Sequence, residues 1–132
     1  MTHRVLISDA HMANRRMLHF AMDLKGCEVL ECVDAGETPA ILQQYRIDLV
    51  LISLYPHENE GYAVLEVLQE HFTPETLPVI LIGDAVLRAE FDTSLWRGRA
   101  WLDRPFQVSV LMNLVDGILS QSRILPDVMA RQ

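Results

Sequence analysis

The sequence predicts an α/β fold: five βα units around a parallel five-stranded sheet, doubly wound with helices on both faces. Three observations carry that prediction. Short apolar runs of strand length alternate with segments of helical periodicity. The runs are continuously apolar, as strands buried on both faces must be. Each strand-plus-helix unit takes roughly 20 to 25 residues, the rhythm of parallel strands joined by right-handed crossovers.

Val5 to Ser8 is the first strand, ending at Asp9. Residues 12 to 25 carry Met12, Met17, Leu18, Ala21, Met22 and Leu24 at helical spacing, and Gly26 is placed to end that helix. Val29 to Val33 is the second strand. Ala40, Ile41, Leu42 and Tyr45 give a second helix its buried stripe, with Pro39 tolerated near the first turn. The third strand, 48 to 53, ends at the neutral hydroxyl of Ser53, and the loop 54 to 61 follows with Tyr55, Pro56 and His57. In an open α/β sheet that end of a strand is where ligands bind. Tyr62, Val64, Leu65 and Leu68 form the third helix. Leu77 to Ile82 is the fourth strand, with Pro78 at its entry where a missing donor matters least. A weaker helix covers 85 to 95, the short fifth strand is 99 to 102, and the last helix is 106 to 120. The domain is expected over 1–120. Residues 121–132 are read as a tail or the start of a linker, frayed or forming a small extra element around Pro126.

At 132 residues and 50% apolar, the chain can bury a core without metal or disulfide staples. A net charge of -7 argues against a nucleic-acid or anionic-membrane surface. Cys27 and Cys32 share no spacing with other metal ligands and read as small core residues in a reducing compartment. No stretch approaches membrane-spanning length, and the start runs directly into a strand, so a cytoplasmic protein is expected.

Asp9, Ser53, Gly83 and Arg104-Pro105 each stand at the end of a predicted strand. With the runs Val5–His11, Asp48–Gly61, Pro78–Gly83 and Trp101–Phe106, this arrangement resembles the receiver domain of bacterial response regulators, the CheY-like family of two-component systems, over about residues 4 to 120. The resemblance implies the flavodoxin-like receiver fold with strand order 2-1-3-4-5. It also implies a pocket that has lost most of its chemistry. Family members phosphorylate an aspartate where Ser53 stands and bind magnesium through two adjacent acids, of which Asp9 is kept and the other is Ala10. The usual hydroxyl residue is replaced by Gly83, and the phosphate-contacting lysine by Arg104.

Acyl-phosphate formation needs a carboxylate nucleophile beside a magnesium ion, and a lone Asp9 supplies neither the nucleophile nor enough ligands. The expected function is therefore signal transduction by a phosphorylation-independent pseudo-receiver, with no enzymatic activity, cofactor or metal. Asp9 is expected to pair with Arg104 in place of the ion and phosphate. The resemblance points to the face of helix four, strand five and helix five as the interface, with a homodimer, another protein or an output domain in a longer chain as partner. Trp96, Arg97, Arg99, Trp101 and Asp103 are its candidates, Trp96 being the favoured anchor. Val108, Leu111, Met112, Val115 and Ile118 should pack mostly on the sheet. Two alternatives remain open: a ligand or metal sensor or enzyme in a crevice of Asp9, His11, Ser53, His57 and Asp84, and residual phosphate sensing through Glu58 or Glu60.

Overall fold

The apolar runs assemble into one parallel sheet in the computed structural model, which describes residues 2–73, 75–90 and 100–130, with side chains as far as 120 and without that of Glu90. Strands β1 (Arg4–Ser8), β2 (Glu28–Cys32), β3 (Leu49–Ser53), β4 (Val79–Gly83) and β5 (Ala100–Asp103) lie in the order β2-β1-β3-β4-β5. Each neighbouring pair is parallel, with Ile7 opposite Leu51 and Leu51 opposite Ile80. The order and direction are those the resemblance implies.

β3 and β4 are buried at every position, because they are central and covered on both faces. β2 is an edge strand, and its exposed Glu28 and Glu31 pair with Arg4 and Arg15. Charged residues of this kind keep an edge from pairing with another strand. Along the strands, alternate side chains feed two separate cores. Val5, Ile7, Leu49, Leu51, Ile80 and Ile82 face helices α1 (Met12–Leu24) and α5 (Val108–Ala130). Leu6, Val50, Ile52, Val79 and Leu81 face α2 (Thr38–Gln44), α3 (Glu60–His71) and α4 (Ala85–Glu90). Each fully buried aliphatic side chain contributes roughly 1.5–3 kcal/mol, so the two cores supply most of the driving force.

The helical stripes are narrower than the sequence suggests. Leu18, Ala21 and Met22 of α1 are buried, but Met12 and Leu24 are 54% and 62% exposed. The sheet covers only part of a helix circumference, and residues at the margin of the stripe stay in water. In α2 Thr38 is buried and Ile41 and Leu42 pack on the core, whereas Ala40 is exposed. A 3-10 turn at Ala35–Glu37, held by an Asp34–Glu37 capping box, precedes α2. Val108 of α5 is likewise exposed, whereas Leu111, Val115 and Leu119 are buried.

Gly26 follows the end of α1 at φ +79°, where its missing Cβ removes the steric penalty. The final helix begins at Val108 rather than 106 and passes the expected end at 120, running to Ala130 with Pro126 inside it. Proline removes one helical donor there, a loss the helix carries without ending. Both cysteines are free, Cys32 buried and Cys27 half-buried against the core. Burial pushes both thiols up from their ordinary value. Helix residues predicted over 91–95 lie outside the described residues.

Candidate functional site

Parallel strands in register bring their carboxyl ends to one edge of the sheet, and the four residues singled out from the sequence meet there. Asp9 follows β1, Ser53 ends β3, Gly83 ends β4 and Arg104 follows β5. A cavity of about 420 Å³ opens beside Asp9, Ser53 and Arg104. Asp9, Ser53, Asp84 and Arg104 form its polar lining, with Asn14 and Tyr55. Met17 and Leu18 of α1 and Ile82, Pro105 and Phe106 give it an apolar wall.

Asp9 is only 2% exposed, and its carboxylate accepts from two donors. The Tyr55 hydroxyl donates to Oδ1 at 2.8 Å, with Oδ2 at 3.0 Å, and the backbone N–H of His11 donates to Oδ1 at 2.9 Å. Asn14 Nδ2 in turn donates to the Tyr55 oxygen at 2.7 Å. Burial pushes the Tyr55 hydroxyl above its ordinary range, the Asn14 hydrogen bond opposes the rise, and Asp9 adds to it. The phenol therefore remains a donor to the carboxylate at neutral pH.

The expected Asp9–Arg104 pair does not form. Arg104 Nη2 instead donates to the carbonyl oxygens of Leu54 and Ile82, the latter at 3.1 Å. Its guanidinium carbon lies 4.0 Å from the centre of the Tyr55 ring, and His11 approaches the same ring with centroids 4.1 Å apart. Tyr55 thus takes Asp9 with its hydroxyl and Arg104 with its ring, so the two charges are joined through a phenol. A planar guanidinium stacks on an aromatic face, which a lysine ammonium does less well. Among the described residues, buried Arg104 Nη1 has no hydrogen-bond partner.

At the ends of β4 and β5 the side chains meet by packing. A Cβ on Gly83 would lie 2.8 Å from Cζ2 of Trp101 and 3.2 Å from Cδ2 of Leu87. The indole thus fills the space where any side chain at 83 would begin, and it packs with the core that faces α3 and α4. Trp101 Nε1 donates to Asp103 Oδ1 at 2.8 Å, and Asp103 also pairs with Arg88 of α4 at 3.5 Å. Asp84 Oδ1 accepts from the Leu87 N–H at 2.7 Å and so holds the start of α4.

The loop after β3 is fixed by close approach. A Cβ on Gly61 would meet the Ser53 carbonyl oxygen at 2.6 Å, a backbone contact with no room to give. His57 holds φ +64°, an uncommon conformation for a non-glycine residue. His11 reaches across to Glu58, Nε2 to Oε2 3.0 Å, on the exposed surface.

No protein-family model and no curated protein matches the sequence. Solved structures do. NtrX from Brucella abortus superposes with a TM-score of 0.81 at 23% identity, covering 100% of this chain and 30% of that one. A two-component system response regulator/GGDEF domain protein gives 0.80 at 25% identity over 92% of this chain and 51% of its own. Vibrio cholerae chemotaxis protein CheY4 gives 0.75 at 18% identity, covering 89% of this chain and 99% of that one. The fold is that of response-regulator receiver domains. The chain spans about three tenths of the NtrX chain it matches.

In receiver terms, the residues present do not fit a magnesium ion. Ala10 offers no ligand, Ser53 is neutral, and the oxygens of Asp9 are already taken by Tyr55 and His11. No cluster of three or more metal-ligating side chains occurs among the described residues. Of the crevice expected as an alternative, Asp9, Ser53 and Asp84 line the cavity, while His11 and His57 are exposed and stand outside its lining. Of the interface candidates, Trp101 is half-buried and Asp103 joins it to Arg88. Trp96, Arg97 and Arg99 lie outside the described residues. No described helix is long and apolar enough to cross a membrane.

Tyr55, as partner of Asp9, and Asn14, as partner of Tyr55, are the site residues that sequence reasoning missed. Their only signal is placement: an aromatic residue two positions past the third strand, and an amide in the first turn of the first helix.

Proposed function

We propose that this chain is a pseudo-receiver: a receiver-fold signalling domain that works by protein contact and not by phosphorylation. The observation that carries the reading is the Tyr55 hydroxyl seated on the Asp9 carboxylate. The resemblance puts a metal ion beside that carboxylate, and a neutral phenol here takes its oxygens. Ser53 adds a second obstacle, since a serine hydroxyl is a weak nucleophile without a positioned base. The Gly83–Trp101 contact supports the same reading for the switch: no hydroxyl at 83 can be drawn toward a phosphoryl group, and the indole is already packed inward. One state is thereby built in.

The contact surface we assign is the face of α4, β5 and α5, with self-association as its simplest use. Arg88 and Asp103 present an ion pair there beside Trp101. An output domain in a longer chain is the other occupant of the same role.

Light-scattering mass across a concentration series, with and without acetyl phosphate and magnesium, tests the proposal, with intact mass measured in parallel. We expect mass to follow concentration alone and no phosphoryl adduct to form. An 80-dalton adduct, about the mass a phosphoryl group adds, or a donor-dependent change in oligomeric mass would mean that phosphate sensing survives.

A further inference from the structure

Arg104 lines the cavity beside Tyr55 with a charge that the chain only half answers. Its Nη2 donates to the carbonyl oxygens of Leu54 and Ile82, and its guanidinium carbon lies over the Tyr55 ring. Those partners are neutral. Among the described residues, buried Nη1 has no acceptor and the guanidinium pairs with no carboxylate. A buried charged donor without a partner carries a desolvation cost that an acceptor reaching it would relieve.

The acids of the same cavity are in the opposite condition. Asp9 accepts from the Tyr55 hydroxyl and the His11 N–H, and Asp84 from the Leu87 N–H. The site therefore lacks an acceptor. A carboxylate supplies the strongest one, because charge-assisted N–H···O bonds are shorter and stronger than neutral ones. Asp9 and Asp84 also set a limit on charge. A ligand with two negative charges would face both acids with a single guanidinium to offset it. One negative charge is what this lining accommodates.

The rest of the lining describes the body of the ligand. Met17, Leu18, Ile82 and Phe106 form an apolar wall for which an ion or a phosphoryl group has no use. Methionine and aromatic side chains make an adaptable surface for a ring. The volume of about 420 Å³ falls in the range of small-molecule sites, roughly 300–1,000 Å³.

We propose that this cavity binds a small monocarboxylate with an apolar body, its carboxylate accepting from Arg104 Nη1 while the body lies against Met17, Leu18 and Phe106. The site needs neither metal nor phosphoryl group, and it holds whether or not the domain self-associates.

Matched probes read the proposal directly. Phenylacetate carries both features, phenylacetamide lacks the charge, acetate lacks the ring, and inorganic phosphate has more charge and no apolar body. Each is titrated without magnesium into the isotopically labelled full chain, and backbone amides and the Arg104 Nε–H signal are followed. Phenylacetate should give saturable shifts at Met17, Leu18, Phe106 and the Arg104 side chain. It should bind about tenfold more tightly than phenylacetamide, for the charged hydrogen bond, and about thirtyfold more tightly than acetate, for the buried ring. Phosphate should give no saturable shift. Arg104→Gln should erase the preference for phenylacetate over phenylacetamide, an effect that general loosening of the fold would not single out. Met17→Trp, which fills the apolar side, should abolish phenylacetate binding while amide dispersion shows an intact fold. Should Arg104→Gln fail to fold, the probe comparison on the unaltered chain decides. No saturable shift with phenylacetate, equal or tighter binding of any other probe, or a carboxylate preference that survives in Arg104→Gln would each overturn the proposal.

Discussion

The two flanks of this sheet edge hold their places by different physics. Over β1 and β3 the contacts are polar: Asp9, Tyr55 and Asn14 form a chain of hydrogen bonds, and Arg104 stacks on the phenol. Over β4 and β5 the contact is steric, with Trp101 filling the space that Gly83 leaves. Hydrogen bonds exchange against water and are worth about 0.5–1.5 kcal/mol net, whereas a buried indole contributes by its area and its fit. The polar flank should therefore yield to small changes of chemistry and pH, and the apolar flank only to changes of volume.

The largest effect is expected on the apolar flank. Trp101→Ala removes a half-buried indole and should cost about 3 kcal/mol in denaturant unfolding, at the low end for buried tryptophan. A cost under about 1 kcal/mol would mean the indole is not a packed element. Gly83→Ala comes next, at about 1–3 kcal/mol, because the new Cβ would overlap the indole. That cost should shrink when Trp101→Leu is present, and simple additivity of the pair would show that the indole is not the obstacle.

On the polar flank, Tyr55→Phe keeps the ring on Arg104 and removes the donor to Asp9. We expect about 1 kcal/mol of destabilisation in the same assay. The pH dependence follows from the same hydroxyl. Its ionisation is raised in the folded state, so its contribution is fully present below the ordinary tyrosine value of 10.0. It is lost as pH rises through the higher folded value, where an anionic phenolate would face Asp9. Wild-type stability should therefore decline above pH 10 more steeply than that of Tyr55→Phe, and superimposable curves would contradict this. The smallest effect is at the loop: His57→Gly relieves a positive φ and should stabilise by at most about 1 kcal/mol, since glycine also frees the unfolded chain.

The difference between the flanks also separates what the sequence reveals from what it hides. β3 and β4 are legible because burial on both faces forces uninterrupted apolar runs, and Gly61 because backbone contact leaves no alternative. The positions of Asp9, Ser53, Gly83 and Arg104 at strand ends follow from the parallel topology alone. Their partners do not. Opposite charges at Asp9 and Arg104 suggest a direct pair, but Tyr55 competes for both, and nothing in residue spacing shows that its ring turns inward. In α2 the expected Ile41 and Leu42 do pack on the core, and only Ala40 of that stripe is exposed. Met12, Leu24 and Val108 show that apolar periodicity marks a helix face without saying how much of that face the sheet covers.

Amide spectra of the labelled chain before and after magnesium and beryllofluoride, a phosphoryl mimic, test the central claim most directly. With Tyr55 on Asp9 and Trp101 packed at Gly83, we expect the signals of Asp9, Ser53, Gly83 and Trp101, indole N–H included, to stay in place. Saturable shifts at those residues would show that the pocket still accepts a phosphoryl group and that its two flanks can move, and the pseudo-receiver reading would be wrong.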